Sequence, residues 1–342
     1  MITQVLSPSE GAICEAAKLI FEGELVGFPT ETVYGLGANA LDAEAVQKIF
    51  DAKGRPGDNP LIVHISHIQH LAPLVRERPS AAAKALIDAY WPGPMTLIFP
   101  KSTLVPAAVT AGLDTVAVRM PSHPVARRLI EVSALPIAAP SANRSGRPSP
   151  TTAKHVLEDM SGRIPLILDG GPCQVGLEST VIDVTGCVPR VLRPGGITPE
   201  MIARVAGNVE VDGSVMRPLK EGETPRSPGM KYRHYAPKGN LTIVQGSPDA
   251  VAREICRLYD EAKSPALILA LQPNLCRYAG RKTISLGMNA EDMAHNLFDA
   301  LRKTDEMGAE VIFSEGLDAD GLGLAVMNRL GRAAAFHIVH AS

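Results

Sequence analysis

Cysteine is scarce and scattered in this sequence. Cys14, Cys173, Cys187, Cys256 and Cys276 form no Cys-x-x-Cys, so a zinc cluster or redox pair is not expected. An odd, sparse set with no signal peptide predicts a reduced, cytoplasmic protein. No apolar run approaches the length of a membrane span, so no membrane partner is expected. The formal net charge is only −2, which removes any bulk electrostatic case for a nucleic-acid or membrane-surface protein while leaving room for a local basic cleft. Gly-x-x-x-x-Gly-Lys-Ser/Thr is also missing, so any nucleotide is bound in another way.

Apolar residues make up 45% of 342 positions, enough for two ordinary cores. Ser7, Pro8 and Glu10 predict a capped first helix ending near Glu22. Strands are expected at "LVGFPT", "LIVHI", "MTLIF", "TVAVRM", "LPIAAP", "PLILD", "STVIDV" and "RVLRP", with helices between them and a last one opened by Thr198 and Pro199. The spacing is too uneven for a simple βαβ repeat, so the first domain, 1–206, is expected to be α/β around a mixed sheet. From 207 to 238 no long periodic pattern persists, and a connection of that length is either disordered or functional. Regular alternation then resumes over 239–342, predicting a small parallel, Rossmann-like domain.

Two features invite over-reading. "GLGANA" (Gly35 to Ala40) matches a dinucleotide fingerprint, but the following helix is capped too late, at Asp42, and the next strand ends in His64 and Ile65 rather than an acid. A turn whose glycines allow unusual dihedrals is the preferred reading. His67 with His70, and His337 with His340, lack the partners a metal site needs.

The informative pattern is repetition: strand end, then a cation or hydroxyl. It occurs at Thr32, His64, Arg119, Ser141, Ser179 and Arg193. Lys53 and Arg55 join it where a helix ends in a Gly/Pro stretch, followed by Asn59. The loop "APSANRSGRPSPT" adds three serines, an asparagine and two arginines, a donor set suited to phosphate or ribose oxygens. No carboxylate pair or Ser–His–Asp order is evident. The pattern predicts an anion-binding cleft that positions substrates rather than a hydrolase.

Taken together, "PTETVYGLG", "KGRP", "NPLIVHI", "WPGPMTLI", "VAVRMPSHP", "APSANRSGRPSPT", "GLESTVID", "LRPGGIT" and "SPGMKYRHYAP" resemble the YrdC family of threonylcarbamoyl-adenylate synthases in its long, two-domain form. The resemblance is close from Ile13 to Pro237. It implies a YrdC-like mixed twisted sheet around a cationic cleft, a linker and a Rossmann-like domain. It also implies L-threonine, bicarbonate and ATP as substrates, with threonylcarbamoyl-adenylate and pyrophosphate as products. A separate transferase complex would then modify tRNA, with at most weak tRNA contact by this chain. Carried over motif by motif, Thr32, His64, Arg119 and Ser179 would hold threonine. Arg55, Asn59, Thr115, Ser141, Ser149 and Arg193 would hold ATP, with Ala139 offering backbone groups. Lys53 and Asn143 would complete, with Arg55 and Ser141, the catalytic set near the phosphates. Mg2+ would come with ATP and take few or no protein ligands. No general base for the amine is identified; His64 qualifies by chemistry, and a threonine-positioning role fits it equally.

Between Thr224 and Asn240 the chain has four cations and no acid. Residues 207–238 are therefore expected to act as a lid over the loaded cleft, with Tyr232 on the nucleotide and His234 or Tyr235 sealing it. Two rival readings are a carbamoyltransferase forming carbamoyl-adenylate, whose zinc and acylphosphatase-like segments are missing here, and an RNA-binding or ribosome-associated module, which would need a basic surface.

Overall fold

The computed structural model describes residues 1–217 and 234–342. The chain divides into two compact units. The first holds Met1–Ser145 and Ser149–Val215; the second holds 234–342 together with Gly146–Pro148 and residues 216–217.

In the first unit the strands are β1 (Gln4–Leu6), β2 (Val26–Phe28), β3 (Gly35–Asn39), β4 (Ile62–His64), β5 (Met95–Pro100), β6 (Thr115–Arg119), β7 (Ile137–Ala138), β8 (Leu166–Leu168), β9 (Thr180–Asp183), β10 (Arg190–Arg193) and β11 (Glu210–Val211). The helices are α1 (Glu10–Phe21), α2 (Ala43–Lys53), α3 (Ala81–Tyr90), α4 (Ala107–Thr110), α5 (Pro124–Ser133), α6 (Ala153–Met160) and α7 (Pro199–Ala206). The strands form one sheet in the order β1-β8-β2-β3-β7-β4-β6-β5-β9-β10-β11. Parallel pairs such as β4–β6 and β5–β9 alternate with antiparallel ones such as β5–β6 and β9–β10, so the sheet is mixed as expected.

Local chemistry accounts for the elements. Asp42 caps α2 by accepting from the N–H groups of Glu44 and Ala45, and Gly54 ends it in the left-handed region. Thr152 and Thr198 cap α6 and α7 in the same way. The first helix corrects the sequence reading: its cap is Ser9, whose hydroxyl accepts from Ala12 N–H, while the Ser7 carbonyl is taken by Ser9 N–H. "GLGANA" is a second correction, because it is not a turn. Residues 35–39 form β3, paired antiparallel with β2 and β7. Its glycines serve close packing rather than unusual dihedrals: a Cβ on Gly37 would lie 2.8 Å from both Ile137 Cγ2 and Phe28 Cε1.

The main core gathers Tyr34, Leu36, Ile49, Phe50, Val63, Leu86, Leu97 and Val118, and a second cluster under α1 and α5 gathers Ile13, Ile20, Phe28, Leu129 and Leu166. A third, small cluster of Ile62, Ile98, Ala117, Val181 and Leu192 lies in the central strands.

The second unit carries β12 (Asn240–Gln245), β13 (Ala266–Ala270), β14 (Thr283–Ser285), β15 (Val311–Glu315) and β16 (Ile338–His340), with α8 (Pro248–Glu261), α9 (Ala290–Glu306) and α10 (Gly321–Ala333). Its sheet, β14-β13-β15-β12-β16, is parallel throughout. Tyr235 packs within this unit: it is buried, its ring centroid lies 5.1 Å from that of Phe298, and the Arg329 guanidinium sits over it at 5.8 Å. His337 Nδ1 lies 3.1 Å from Thr242 Oγ1, a structural contact.

Candidate active site

Side chains alternate across a strand, so Thr115, Ala117 and Arg119 share one face of β6. The register sets His64 of β4 and Thr96 of β5 beside Arg119, and Val181 of β9 beside Thr96. Ser179, two residues before Val181, brings its Oγ to 2.8 Å from Thr96 Oγ1. Arg193, at the end of β10, donates from Nη2 to Ser179 Oγ at 3.2 Å and from Nε to Ser179 O at 3.1 Å. That approach depends on Gly195, where a Cβ would stand 2.5 Å from Thr180 N. Five neighbouring strands, β4, β6, β5, β9 and β10, thus align His64, Arg119, Thr96, Ser179 (just before β9) and Arg193 in one row. Beside the row, on the same face, lies the apolar strip of Ile62, Ile98, Ala117 and Val181.

Thr32 reaches the row from the β2–β3 connection. Arg119 Nη1 donates to Thr32 Oγ1 at 2.9 Å. Thr30 Oγ1 donates to Val33 O at 2.6 Å, so across the 2.9 Å contact between the two threonines the Thr32 hydroxyl must be the donor. The chain runs Arg119 to Thr32 to Thr30 to Val33, which fixes Thr32 with an oxygen lone pair facing the guanidinium. Arg119 Nε donates to Gly93 O at 3.3 Å, and Nη2 stands 2.8 Å from Glu31 Oε1, both side chains being about 4% exposed. Burial pushes the Glu31 carboxyl up, but Arg119, helped by the nearby N–H groups of Glu31 and Ser122, holds it below the usual carboxylate range.

His64 is neutral. Burial, then the Arg119 charge, lower its pKa to about 3 against the partial opposition of Glu31. Its Nδ1 faces the Ile62 carbonyl at 3.2 Å, an acceptor only, so Nδ1 carries the proton and Nε2 is the free acceptor.

A second cluster is built where α2 ends. Lys53 Nζ donates to the carbonyls of Ser141 and, at 2.6 Å, Asn143, and Ser145 N–H returns to Lys53 O at 3.0 Å. Lys53 is a strut between α2 and the serine-rich loop. Burial above all, and then the charge of Arg55, push its ammonium well below the ordinary lysine range, opposed by Asp159 and Glu178. Arg55 Nη2 donates to Asn59 O at 3.2 Å, Ser141 Oγ to Asn143 Oδ1, and Ser149 Oγ to Glu178 Oε1.

The sequence-derived residues therefore fall into two linked groups, Thr32, His64, Arg119, Ser179 and Arg193 in one, Lys53, Arg55, Asn59, Ser141 and Asn143 in the other. Thr115 starts the strand that Arg119 ends, about 13 Å away at the usual rise of a strand. Ala139 has its N–H committed to Ile62 O at 2.9 Å. Tyr232, and residues 218–233 of the expected lid, lie outside the described residues. Sequence reasoning missed Glu31, Thr96 and Glu178. Glu31 and Glu178 stand inside the quoted "PTETVYGLG" and "GLEST", each directly before a predicted site hydroxyl, Thr32 and Ser179, which is a usable signal. Thr96 had none beyond strand alternation.

This is an α/β protein that assembles buried cations and hydroxyls on one face of a mixed sheet. Comparison with known proteins agrees in detail. Residues 18–195 match the Sua5/YciO/YrdC family, described as telomere recombination, and residues 197–335 match the C-terminal domain of threonylcarbamoyl-AMP synthase. The chain is 51% identical to the threonylcarbamoyl-AMP synthase of Pyrococcus abyssi, covering 95% of this chain and 94% of that one. It is 48% identical to that of Bacillus subtilis, covering 99% and 97%. The crystal structure of P. abyssi Sua5 complexed with L-threonine superposes with a TM-score of 0.93 at 49% identity, over 100% of this chain and 99% of that one. The chain belongs to the Sua5/YciO/YrdC family, in its two-domain form.

Proposed function

We propose that this chain is a nucleotidyltransferase that converts L-threonine, bicarbonate and ATP into threonylcarbamoyl-AMP and pyrophosphate. The relatives' names and near-complete coverage support the reaction, and one structural observation carries the assignment of roles. A single sheet face holds a guanidinium-bearing polar row with an apolar strip beside it, and a lysine-braced loop adjoins it. The polar row suits an amino acid, the strip a flat base, and the Lys53–Ser141 cluster a triphosphate.

In this reading the threonine carboxylate lies on Arg119, whose guanidinium Thr32 holds in place, with Ser179 and the neutral His64 closing round the amino acid. The ammonium passes a proton to bicarbonate, which breaks down to water and carbon dioxide; the freed amine adds to the carbon dioxide, losing its next proton to solvent, and the carbamate oxygen attacks the α-phosphorus in line while pyrophosphate leaves. The protein supplies orientation and charge. Each charge-assisted hydrogen bond from Lys53, Arg55 or Arg193 contributes about 1.5–3 kcal/mol. Burial disfavours the charge of Lys53, and an arriving phosphate favours it. Mg2+ would shield the β- and γ-phosphates. The groups at that end are hydroxyl, amide and cation, and among the described residues no cluster of three His, Cys, Asp or Glu could hold a metal. That donor set fits an ion carried by the nucleotide and touched through Ser141 and Asn143. The product would pass to a separate transferase complex acting on tRNA, in the cytoplasm. Among the described residues no helix is long and apolar enough to cross a membrane.

The test is a pyrophosphate-release assay with ATP, bicarbonate and threonine. Release is expected only when all three are present. Release independent of threonine and bicarbonate would overturn the assignment.

A further inference from the structure

We infer that Glu31 is the residue that selects a zwitterion: with Arg119 it forms a buried pair of opposite charges that receives the ammonium and the carboxylate of an α-amino acid together. The inference rests on the proposed threonine reaction and adds to it the group that reads the amine.

Both members of the pair are buried, Glu31 at 3% and Arg119 at 3% exposure. Arg119 is anchored on two sides, by Gly93 O and Thr32 Oγ1, so its guanidinium plane is fixed. The contact to Glu31 is close, at 2.8 Å, but poorly aligned: beyond this ion contact and the N–H groups of Glu31 and Ser122 lying near the carboxylate, neither Glu31 oxygen nor Arg119 Nη2 has a partner in strict hydrogen-bond geometry among the described residues. Native proteins leave few buried polar atoms in that condition. Here an unfilled acceptor and an unfilled donor stand side by side, in the row where the threonine group converges. The titratable neighbours His64, His123 and Cys173 add no charge, burial pushing the half-buried His123 below its usual range despite the pull of Glu31. His64 is held neutral, with a pKa of about 3, and the buried Cys173 thiol is pushed up to about 12.

The subsite is therefore formally neutral and strongly dipolar. A zwitterion laid antiparallel to the pair fills both unfilled groups and leaves no net charge in a buried place. A hydroxy acid adds an uncompensated negative charge beside Glu31, and an amine adds an uncompensated positive charge beside Arg119. Either mismatch is strongly unfavourable at a buried site. The amine is thus chosen by a carboxylate, not by the size of the cleft.

The experiment measures dissociation constants by calorimetry for L-threonine and for 2,3-dihydroxybutanoate, which replaces the amine with hydroxyl. Wild type and Glu31→Gln are compared, with Glu31→Asp as the variant that keeps the charge. Wild type is expected to prefer threonine at least tenfold. Glu31→Gln is expected to weaken threonine at least tenfold while binding dihydroxybutanoate as well as wild type or better, and Glu31→Asp to keep a reduced preference. A Glu31→Gln protein that loses both ligands equally, or keeps the wild-type preference, overturns the inference and makes Glu31 a brace for Arg119. If Glu31→Gln does not fold, an unchanged preference in Glu31→Asp together with no preference in wild type overturns it. Wild type that fails to bind threonine at all strikes the proposed reaction instead, so the two failures are distinct.

Discussion

Replacing Arg119 with Met removes one charge from a buried pair and leaves Glu31 ionised with nothing opposite it. Breaking such a pair costs about 3–5 kcal/mol. Adding Glu31→Met removes the stranded charge as well. What remains is the loss of a donor to Thr32 Oγ1 and Gly93 O, which Arg119 satisfies at 2.9 and 3.3 Å. Losing those two bonds costs about 1–3 kcal/mol in total. The double variant should therefore be more stable than Arg119→Met alone by about 2 kcal/mol, an inversion of the usual additivity. The readout is built in. Trp91, the one tryptophan of the chain, is buried in the first unit with its indole N–H on Met95 O at 2.7 Å. Urea unfolding followed by its fluorescence reports that unit without the second. The midpoint should rise from Arg119→Met to the double variant, and neither protein should release pyrophosphate on addition of threonine. A double variant no more stable than Arg119→Met would show that Glu31 finds compensation without Arg119, and the closed, buried pair would be refuted.

Gly37→Ala should destabilise the first unit by about 1–3 kcal/mol through overpacking against Phe28 and Ile137 in the same urea titration; a loss below about 0.5 kcal/mol would mean the strands simply separate. His64 has a folded pKa of about 3, below its ordinary value of 6.5, so the unfolded chain binds the extra proton first and stability falls as pH drops through that window. Between pH 6.5 and 4.5, before the carboxylates titrate, wild type should lose up to about 1.4 kcal/mol per pH unit more than His64→Gln. Equal pH slopes for the two proteins would show that His64 is not held neutral.

Much of this was legible in the sequence because polar residues at strand ends leave a local signature. Arg119 after "TVAV" and Arg193 after "VL" cannot sit buried without a purpose, and both join the row. Helix caps at Asp42 and Thr198 were equally plain. What escaped was tertiary. Gly35 and Gly37 look like turn residues, yet they are strand residues kept small by Phe28 pressing on them from the neighbouring strand. The short β1 and β16, three residues each, carry no periodicity and exist because β8 and β12 offer parallel edges. Thr96 reads as one more β-branched residue of a buried strand. Only the register of β5 against β6 and β9 reveals it as the link between Arg119 and Ser179.

The charges explain how a chain with a net charge of −2 can host substrates as anionic as ATP. Its working cations are not a surface field but four buried side chains, Lys53, Arg55, Arg119 and Arg193. They are not equivalent. Arg119 has a carboxylate 2.8 Å away and contributes no net charge. Lys53 is instead bound to two carbonyls, and the nearest opposing effects on it, from Asp159 and Glu178, are outweighed by burial and Arg55. One end of the site is thus neutral and dipolar, and the other gathers Lys53, Arg55 and Arg193. A triphosphate placed at the neutral end would meet Glu31, whose desolvated negative charge no solvent screens. A zwitterion placed at the other end would leave Lys53 without the phosphate oxygens that favour its charged form against burial. In the proposed reaction, charge balance therefore favours the amino acid at the Arg119 end and the triphosphate at the Lys53 end.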